Sequence, residues 1–516
     1  SGCFFILSRW LTSFYNLRKK KHKSFREEFM KTFLLCKESK FILEIIEHLH
    51  KAPSKELSFK ELENYIGITK QTIKNYVETL LHYCKGKKLK TFIVENNKLK
   101  MLSGSNFNIL DLYAHFTQES VKFQIMSRIL EDSQITFTKL YLDLTISRSN
   151  LSVHINQLNK SLKPYYCQIN FLQKDPIQGE EQQIRFLYYN LFWGLYPDDI
   201  IGEFPGLGGI TKLALKLVPQ MSYSTLSRIR LFFHIAQIRG RNGYFIDSSE
   251  DYLLPDSPYI SYTDFFQKID ALNFLHYCPD LEIKHRECRY LYFMFCRTNL
   301  VTIEECKQPE FQVKNYSSSD IQYFISKFQE KSGITLNGSE LKYFNYNLGL
   351  INQEASLFKG ESKVFDLTNM IEKFKATKSY TATFITEFLR DIRENNQTIS
   401  TLIQGFPALL HFYAMILTAI IEKNHQPIKL LVQSSISTLH REVLIYKIIK
   451  SSPVPIVVYT SEQLKDEKPD GIVSNWLPEK KYKDVPFFST SLFYSDWNNE
   501  ELVQFIDGLA DMKNSL

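Results

Sequence analysis

The feature that most constrains the fold is a pattern of apolar residues that occurs twice in the first third of the chain. After a hydroxyl residue, apolar side chains recur four, eight, eleven and fifteen positions on, which is one face of an α-helix. One copy follows Ser147 and comprises Leu151, Ile155, Leu158 and Leu162. The other follows Thr69 and comprises Ile73, Val77, Leu80 and Cys84. Each copy therefore predicts an amphipathic helix with Ser or Thr at its N-cap.

A second set of matching positions precedes each predicted helix. It consists of Phe137, Leu140, Leu144 and Ile146 in one copy and of Phe59, Leu62, Ile66 and Ile68 in the other. These positions fit a short helix and a tight turn, and Gly67 occupies that turn in the earlier copy. One such match is only moderately specific, but two in register predict a repeated helix-turn-helix.

Strand-like segments follow both units. Residues 91–94 and 99–102 can pair across the Asn96-Asn97 turn, and residues 166–172 can pair with the segment before Gly179. Both units are therefore predicted to be winged helices.

The charge of the chain is concentrated where these units lie. Residues 1–185 carry 29 Lys and Arg against 18 Asp and Glu, a net +11, whereas the rest carries 34 against 38, a net −4. This asymmetry favours a polyanion-binding N-terminal part, and the alternative is a solvated basic surface.

The capped helices suggest how DNA would be read. A capped N-terminus presents backbone N–H groups to phosphate, and short polar side chains let the helix approach base edges in the major groove. A basic hairpin around Lys87, Lys88 and Lys90 is expected to contact phosphate. The residues predicted to contact DNA are Thr69, Lys70, Gln71, Thr72, Lys74, Asn75, Lys87, Lys88, Lys90, Ser147, Arg148, Ser149, Asn150, Ser152, His154 and Asn156.

The remaining chain is predicted to be mainly helical and multidomain. With 40 Phe, 29 Tyr and few Gly or Pro in 516 residues, aromatic-rich helices are favoured over a loop-rich sandwich. Long helical runs predict two bundles after residue 186, and a β-α-β-β-β-α alternation from about residue 426 predicts a small, largely parallel α/β domain. Phosphate loops, paired carboxylates and nucleophile triads are not recognisable in the bundles, so we do not predict an enzyme or a cofactor.

The cysteines and the N-terminus add smaller constraints. The eight cysteines are scattered and are expected to be reduced thiols, and the His276, Cys278, His285, Cys288 grouping lacks the usual zinc-ligand spacing, so no metal is predicted. The apolar start and the following basic cluster, within residues 1–30, are interpreted as an arm that packs on the first domain, with an interfacial membrane helix as the alternative. No membrane-spanning segment is predicted.

The ordered set of two winged helices, the GEEQQIRF junction, two helical bundles and an α/β unit containing KPDGIVSN resembles the Mga/RofA-like family of Gram-positive virulence regulators. The resemblance implies two phosphotransferase-system regulation domains and a C-terminal domain similar to a phosphotransferase IIB component, used for self-association. The implied domains are an arm (1–30), two winged helices (31–103 and 104–185), two regulation domains (186–306 and 307–424) and the IIB-like domain (425–516).

The chain departs from the family pattern at two places. The loop QSSISTLHRE offers Ser434, Ser435 and Ser437 but no Cys for phosphorylation, so a structural or dimerising role is expected there. Where relatives place a His after a basic residue, this chain has Gly240. The candidate phosphorylation sites are His234, His411 and His425, and for each the alternative is a packed core histidine.

The predicted function is a cytoplasmic DNA-binding transcription regulator. The resemblance implies an activator of virulence or surface-adhesin genes, a homodimer or higher oligomer, and tuning by the general phosphocarrier protein. RNA polymerase is a further partner that activation implies. The alternatives are a phosphotransferase-linked RNA antiterminator and a non-catalytic protein-docking scaffold.

Overall fold

The computed structural model describes residues 33–102, 107–193, 195, 207–219, 221–247, 257–308, 318–360, 380–424, 427–435, 437–452, 454–460, 463–464, 468–477, 480–490 and 499–514. The N-terminal arm and His425 lie outside these residues. The described chain is mainly helical and multidomain, with a small parallel sheet near the C-terminus. It divides into two compact units, which are Ser1–Ile321, Leu341–Asn369 and Thr401–His411, and Gln322–Glu340, Met370–Ser400 and Phe412–Leu516.

The first helix-turn-helix segment contains three helices and three strands. They are α1 (Lys37–Lys51), β1 (Glu56–Ser58), α2 (Phe59–Ile66), α3 (Lys70–Gly86), β2 (Phe92–Glu95) and β3 (Lys98–Met101). The predicted hairpin is confirmed, since β2 and β3 pair antiparallel and the turn residues Asn96 and Asn97 have φ of 50° and 58°. Strand β1 adds to β3 and gives the order β1-β3-β2, a third strand that the sequence did not predict.

The second helix-turn-helix segment repeats the helical part with a shorter hairpin. Its elements are α4 (Ile109–Glu119), α5 (Val121–Glu131), α6 (Phe137–Asp143), α7 (Arg148–Leu162), β4 (Gln168–Ile169) and β5 (Ile177–Gln178). The predicted antiparallel pair is confirmed but has only two residues in each strand. All eight predicted apolar positions of α3 and α7 are buried, so the helical period of the sequence identified the core face.

Helices follow without a further strand in the described residues up to 424. In the first unit they are α8 (Glu181–Phe192), α9 (Leu207–Leu217), α10 (Tyr223–Arg241), α11 (Tyr262–Ala271) and α12 (Leu281–Thr298). Their aromatic faces pack together, for example Tyr189 on Phe232 at 3.9 Å between ring centroids. The next five are α13 (Ser319–Ser332), α14 (Gly338–Leu357), α15 (Tyr380–Asn395), α16 (Gln397–Gly405) and α17 (Leu409–Asn424), and they are divided between the two units.

The C-terminal part of the second unit is a four-stranded sheet with helices. Its elements are β6 (Ile428–Gln433), α18 (Thr438–Ser451), β7 (Ile456–Tyr459), β8 (Gly471–Ser474), β9 (Phe487–Ser489) and α19 (Asn499–Asn514). The strand order is β7-β6-β8-β9 and every pairing is parallel, which confirms the predicted alternation and sheet type. Apolar residues of β6, α18 and α19 form one buried core, as expected for a parallel sheet covered by helices.

Three further expectations concern membranes, metals and thiols. None of the described helices alone has the length and apolar composition to cross a membrane, although the bent pair α16 and α17 meets both criteria together. The described residues contain no group of three or more His, Cys, Asp and Glu side chains placed to hold a metal ion. The seven described cysteines are free thiols.

Candidate nucleic-acid interface

The N-terminus of α7 carries an exposed polar edge. Ser147 is the N-cap, and its Oγ accepts a hydrogen bond from the Asn150 N–H at 3.1 Å. Arg148, Ser149 and Asn150 are exposed, and the Arg148 guanidinium lies 5.7 Å from the centroid of the Phe137 ring. Within the described part of the chain, the N–H groups of Arg148 and Ser149 donate to no acceptor. These amides and the positive end of the helix dipole are therefore available to a phosphate oxygen.

The two flanks of α7 differ. On one flank Asn159 joins the helix to the hairpin, because its Oδ1 accepts from the Ile169 N–H at 2.6 Å and its Nδ2 donates to the Ile169 carbonyl at 3.0 Å. Ser152 and Asn156 are exposed on the outer face, where the predicted DNA contacts require them. His154 is half-buried on the other flank and does not share that outer face.

The corresponding N-terminus of α3 is capped at two positions. Thr69 is the predicted N-cap, and its Oγ1 accepts from the Thr72 N–H at 3.3 Å. Glu63, from the preceding helix, accepts a hydrogen bond from the Lys70 N–H at 3.1 Å. The Glu63 carboxylate thus accepts the hydrogen bond of the first backbone N–H that a phosphate would bind. Its negative charge makes the N-terminus of α3 less positive than that of α7.

The remaining predicted residues of α3 lie in its first two turns. The Gln71 side-chain amide donates to Asn75 Oδ1 at 3.1 Å, which orders both side chains on the exposed face. The Lys74 ammonium lies 5.9 Å from the centroid of the Phe59 ring, and the Phe59 N–H donates to the Asn97 carbonyl at 3.1 Å. Phe59 therefore connects Lys74 of α3 to the hairpin tip.

The three lysines predicted to contact phosphate lie at the other end of α3. Lys87 is the C-cap, and Lys88 and Lys90 are in the connection that leads into β2, ahead of the hairpin strands. All three are exposed. Because a 17-residue helix is about 25 Å long, they would contact a different stretch of backbone from Thr69 and Lys70.

A buried network of charged residues lies directly behind the second hairpin, and sequence reasoning missed it. Arg185 of α8 makes two hydrogen bonds to the Glu287 carboxylate, at 2.7 and 3.0 Å, and a third to Glu181 at 2.8 Å. Arg239 of α10 bonds Glu181 at 2.6 Å and Asp175, from the β4–β5 connection, at 2.8 Å. The network therefore ties the second hairpin to α8, α10 and α12.

Burial and charge pairing oppose each other within this network. Burial disfavours the charged form of Arg239, but Glu181 and Asp175 more than offset it, so the pKa of Arg239 is raised. Burial raises the pKa of Asp175 despite the neighbouring guanidinium of Arg239. The only sequence signal was the four-residue spacing of Glu181 and Arg185 in GEEQQIRF, which also occurs on exposed helices.

The two described candidate phosphorylation sites are core residues. His234 of α10 is 9% exposed and His411 of α17 is 8% exposed. Burial lowers the pKa of His411, and burial together with Arg241 lowers the pKa of His234 to about 4. Burial therefore favours the neutral form of both imidazoles and shields them from another protein.

Packing against Tyr277 explains why position 240 is a glycine. A Cβ added there would lie 2.1 Å from the Tyr277 ring, closer than any packing allows. A histidine at this position is incompatible with the position of Tyr277, and the preceding residue, Arg239, is held in the buried network.

The serine loop after β6 is organised by a hydrogen bond from its neighbour. The Ser435 N–H donates to Asn475 Oδ1 at 2.9 Å, and Asn475 follows β8 in the KPDGIVSN segment. Ser434 and Ser437 belong to the same loop, between β6 and α18.

In helix-turn-helix DNA-binding proteins the N-terminal residues of the second helix contact base edges, and the capped N-terminus of α7 exposes Arg148, Ser149 and Asn150 at the equivalent position. Residues 105–192 match the model of the family described as the Mga helix-turn-helix domain. The match supports the Mga/RofA-like regulator family for this chain, and with it a DNA-binding transcription regulator. It spans α4 to α8 and so includes both Ser147 and the Glu181 and Arg185 pair. The search of curated proteins found no match.

Proposed function

We propose that the chain regulates transcription by binding double-stranded DNA, with α7 as the principal reading helix and α3 as the second. The observation that carries the proposal is the exposed, capped N-terminus of α7 within the segment that matches the Mga domain. Helix α3 ranks second because Glu63 occupies its first amide and places a negative charge where a phosphate would lie.

The proposed mechanism assigns separate roles to side chains and amides. Arg148 has the geometry to donate two hydrogen bonds to guanine, and Asn150 has the groups to pair with adenine. The amides at the start of α7 contact phosphate and fix the depth of insertion. Lys87, Lys88 and Lys90 contact the DNA backbone beyond the α3 site. The two reading helices of one chain enter successive major grooves, and sequence specificity rests partly on bending of the DNA.

Further parts of the proposal rest on the family resemblance. They are activation of virulence or adhesin genes in contact with RNA polymerase, self-association through the C-terminal α/β part, and tuning by the phosphocarrier protein. Because His234 and His411 are buried, phosphoryl transfer to either one requires its helix to open first. The added charge, close to −2, would then oppose reburial and shift the population of the open state.

The decisive experiment is binding-site selection from random duplex DNA with the full chain, followed by fluorescence-anisotropy titration of the selected duplex at several salt concentrations. Arg148→Ala is expected to weaken binding by about 1–3 kcal/mol and to relax specificity. Lys88→Ala is expected to weaken all sequences equally and to reduce the salt slope by about one. Lys307→Ala, an exposed lysine outside both helix-turn-helix segments, is the matched control.

The same titration separates the alternatives. A docking scaffold would show no salt-dependent binding to any nucleic acid, and an RNA antiterminator would prefer single-stranded RNA to duplex DNA. Either result, or unchanged duplex affinity in both Arg148→Ala and Lys88→Ala, would refute the proposed reading surface.

A further inference from the structure

An open cavity of about 510 Å³ lies between the two helix-turn-helix segments and is not part of the reading surface described above. Its walls come from the N-terminus of α1, the N-terminus of α5 and the His154 flank of α7. The basic side chains that line it are Lys37, Lys40, Lys122 and His154. No Asp or Glu is among its described lining residues, so the described part of its walls carries an excess of positive charge.

Backbone amides add to this positive character. Cys36 caps α1 and Ser120 caps α5, and each cap accepts from the amide three residues later, Ser39 and Phe123 respectively. The earlier amides of both helices, including those of the lining residues Lys37 and Lys122, have no acceptor among the described residues. Two helix N-termini, each with unfilled N–H groups, therefore border the same cavity.

Lys122 is a half-buried cation in the wall of this cavity. Its ammonium donates to the Phe33 carbonyl at 2.9 Å, and burial lowers its pKa. A carbonyl oxygen is a weaker partner for a half-buried ammonium than an anionic oxygen. A negatively charged ligand beside Lys122 would offset this desolvation.

His154 supplies a group that lacks a partner. Its Nδ1 is buried and makes no hydrogen bond among the described residues. Burial and then the nearby Lys122 charge lower the pKa of His154, and a bound anion would oppose both effects. Since each helical residue turns about 100°, His154 lies roughly 140° around α7 from Asn159, which holds the hairpin. The cavity and the hairpin therefore flank the reading helix on opposite sides.

We propose that this cavity binds a phosphate group, held by Lys37, Lys122, His154 and the N-terminal amides of α1 and α5. The phosphate has two sources with the same chemistry. One source is the DNA backbone at the edge of the groove that α7 enters, and this assignment rests on the proposed function. The other source is a free phosphorylated small molecule, and this assignment does not depend on the proposed function.

The first test measures inorganic phosphate binding to the full chain by calorimetry in chloride buffer at constant ionic strength. Wild type binds saturably, and Lys122→Gln raises the Kd about tenfold because one charged hydrogen bond is lost. Lys37→Gln, at the exposed first position of α1, raises it similarly with little risk to folding. Lys160→Gln, an exposed lysine of α7 outside the cavity, is the control and leaves the Kd unchanged.

The second test follows duplex DNA affinity of the same proteins against salt concentration. A lower salt slope in Lys122→Gln, by about one, assigns the cavity to a backbone phosphate, whereas an unchanged slope with lost phosphate binding assigns it to a free ligand. The site is refuted if Lys122→Gln and Lys37→Gln change neither phosphate binding nor the salt slope. If wild type binds no DNA, the proposed function fails while the phosphate titration still decides the site.

Discussion

Gly67 and Thr145 occupy the same place in the two helix-turn-helix turns, two residues before the N-cap of the reading helix. Both have left-handed backbone, with φ of 75° and 51°. Glycine adopts this conformation without penalty, whereas a β-branched residue is strained there. The second turn therefore contains a strain that the first avoids.

This difference predicts opposite effects for two substitutions. Thr145→Gly is expected to raise the free energy of unfolding by about 0.5–1 kcal/mol, and Gly67→Ala to lower it by about 1 kcal/mol. Apart from Gly67 itself and its two chain neighbours, no residue has a heavy atom within 4 Å of the position of an added Gly67 Cβ, so that loss would come from backbone strain. Urea-unfolding midpoints measure both effects, and a destabilised Thr145→Gly would contradict the strain argument.

His234 makes stability depend on pH. Its pKa is about 4 in the folded chain, mainly through burial, against an ordinary value of 6.5. Below pH 6.5 the unfolded chain binds a proton at His234 that the folded chain does not bind. The contribution of the neutral, buried His234 to the free energy of unfolding is therefore complete above pH 6.5 and is lost as pH falls toward 4.

The expected size of the effect is about 2 kcal/mol between pH 7.5 and pH 5. His234→Gln removes the titrating group, so its unfolding free energy should fall less over this range than that of wild type. His276→Gln, which alters an exposed histidine, should keep the wild-type slope. Urea unfolding at the two pH values measures the difference, and parallel slopes for wild type and His234→Gln would exclude this role.

At the scale of secondary-structure elements, helix caps and buried helix faces were predicted from the sequence more completely than strand pairings were. The caps Thr69 and Ser147 and the buried faces of α3 and α7 followed from spacing, because a helix imposes its own period on the chain. Strand β1 was missed because three residues, Glu56–Ser58, are too few to show an alternating pattern. Its partner, β3, is distant in sequence, and such pairings leave no local signal.

The bond between α7 and its hairpin makes a prediction at this scale. Asn159→Ala removes two hydrogen bonds to Ile169 and leaves that N–H and carbonyl unsatisfied, so unfolding free energy should fall by about 1–3 kcal/mol. Asn156→Ala, on the exposed face of the same helix, should change it by less than about 0.5 kcal/mol. Comparable losses in the two variants, measured by urea unfolding, would argue against anchoring of the hairpin by Asn159.

At the scale of the whole molecule, the buried ion network was beyond sequence reasoning. Its members come from α8, α10, α12 and the β4–β5 connection, and Arg185 and Glu287 are 102 residues apart in sequence. Charged residues are abundant throughout the chain, and spacing does not tell which of them are paired in the core. The network explains why the GEEQQIRF junction combines Glu181 and Arg185, since together they connect the hairpin to the helices behind it.

This network predicts a large penalty for removing one member alone. Glu287 is fully buried, so Glu287→Ala removes two of the three hydrogen bonds that the buried Arg185 makes to carboxylates and leaves Arg185 sharing Glu181 with Arg239. This change should lower the unfolding free energy by about 3–5 kcal/mol. Lys284 lies on the same helix as Glu287 and makes a more exposed pair with Asp270 of α11, so Lys284→Ala should cost less than about 1 kcal/mol. Replacing both charges, Arg185→Met with Glu287→Leu, should recover part of the loss because the under-paired guanidinium is removed as well and Glu181 keeps its pairing with Arg239. Urea unfolding of the four proteins measures these differences. A double variant less stable than Glu287→Ala would mean that the pair, rather than the avoidance of an under-paired buried guanidinium, maintains this junction.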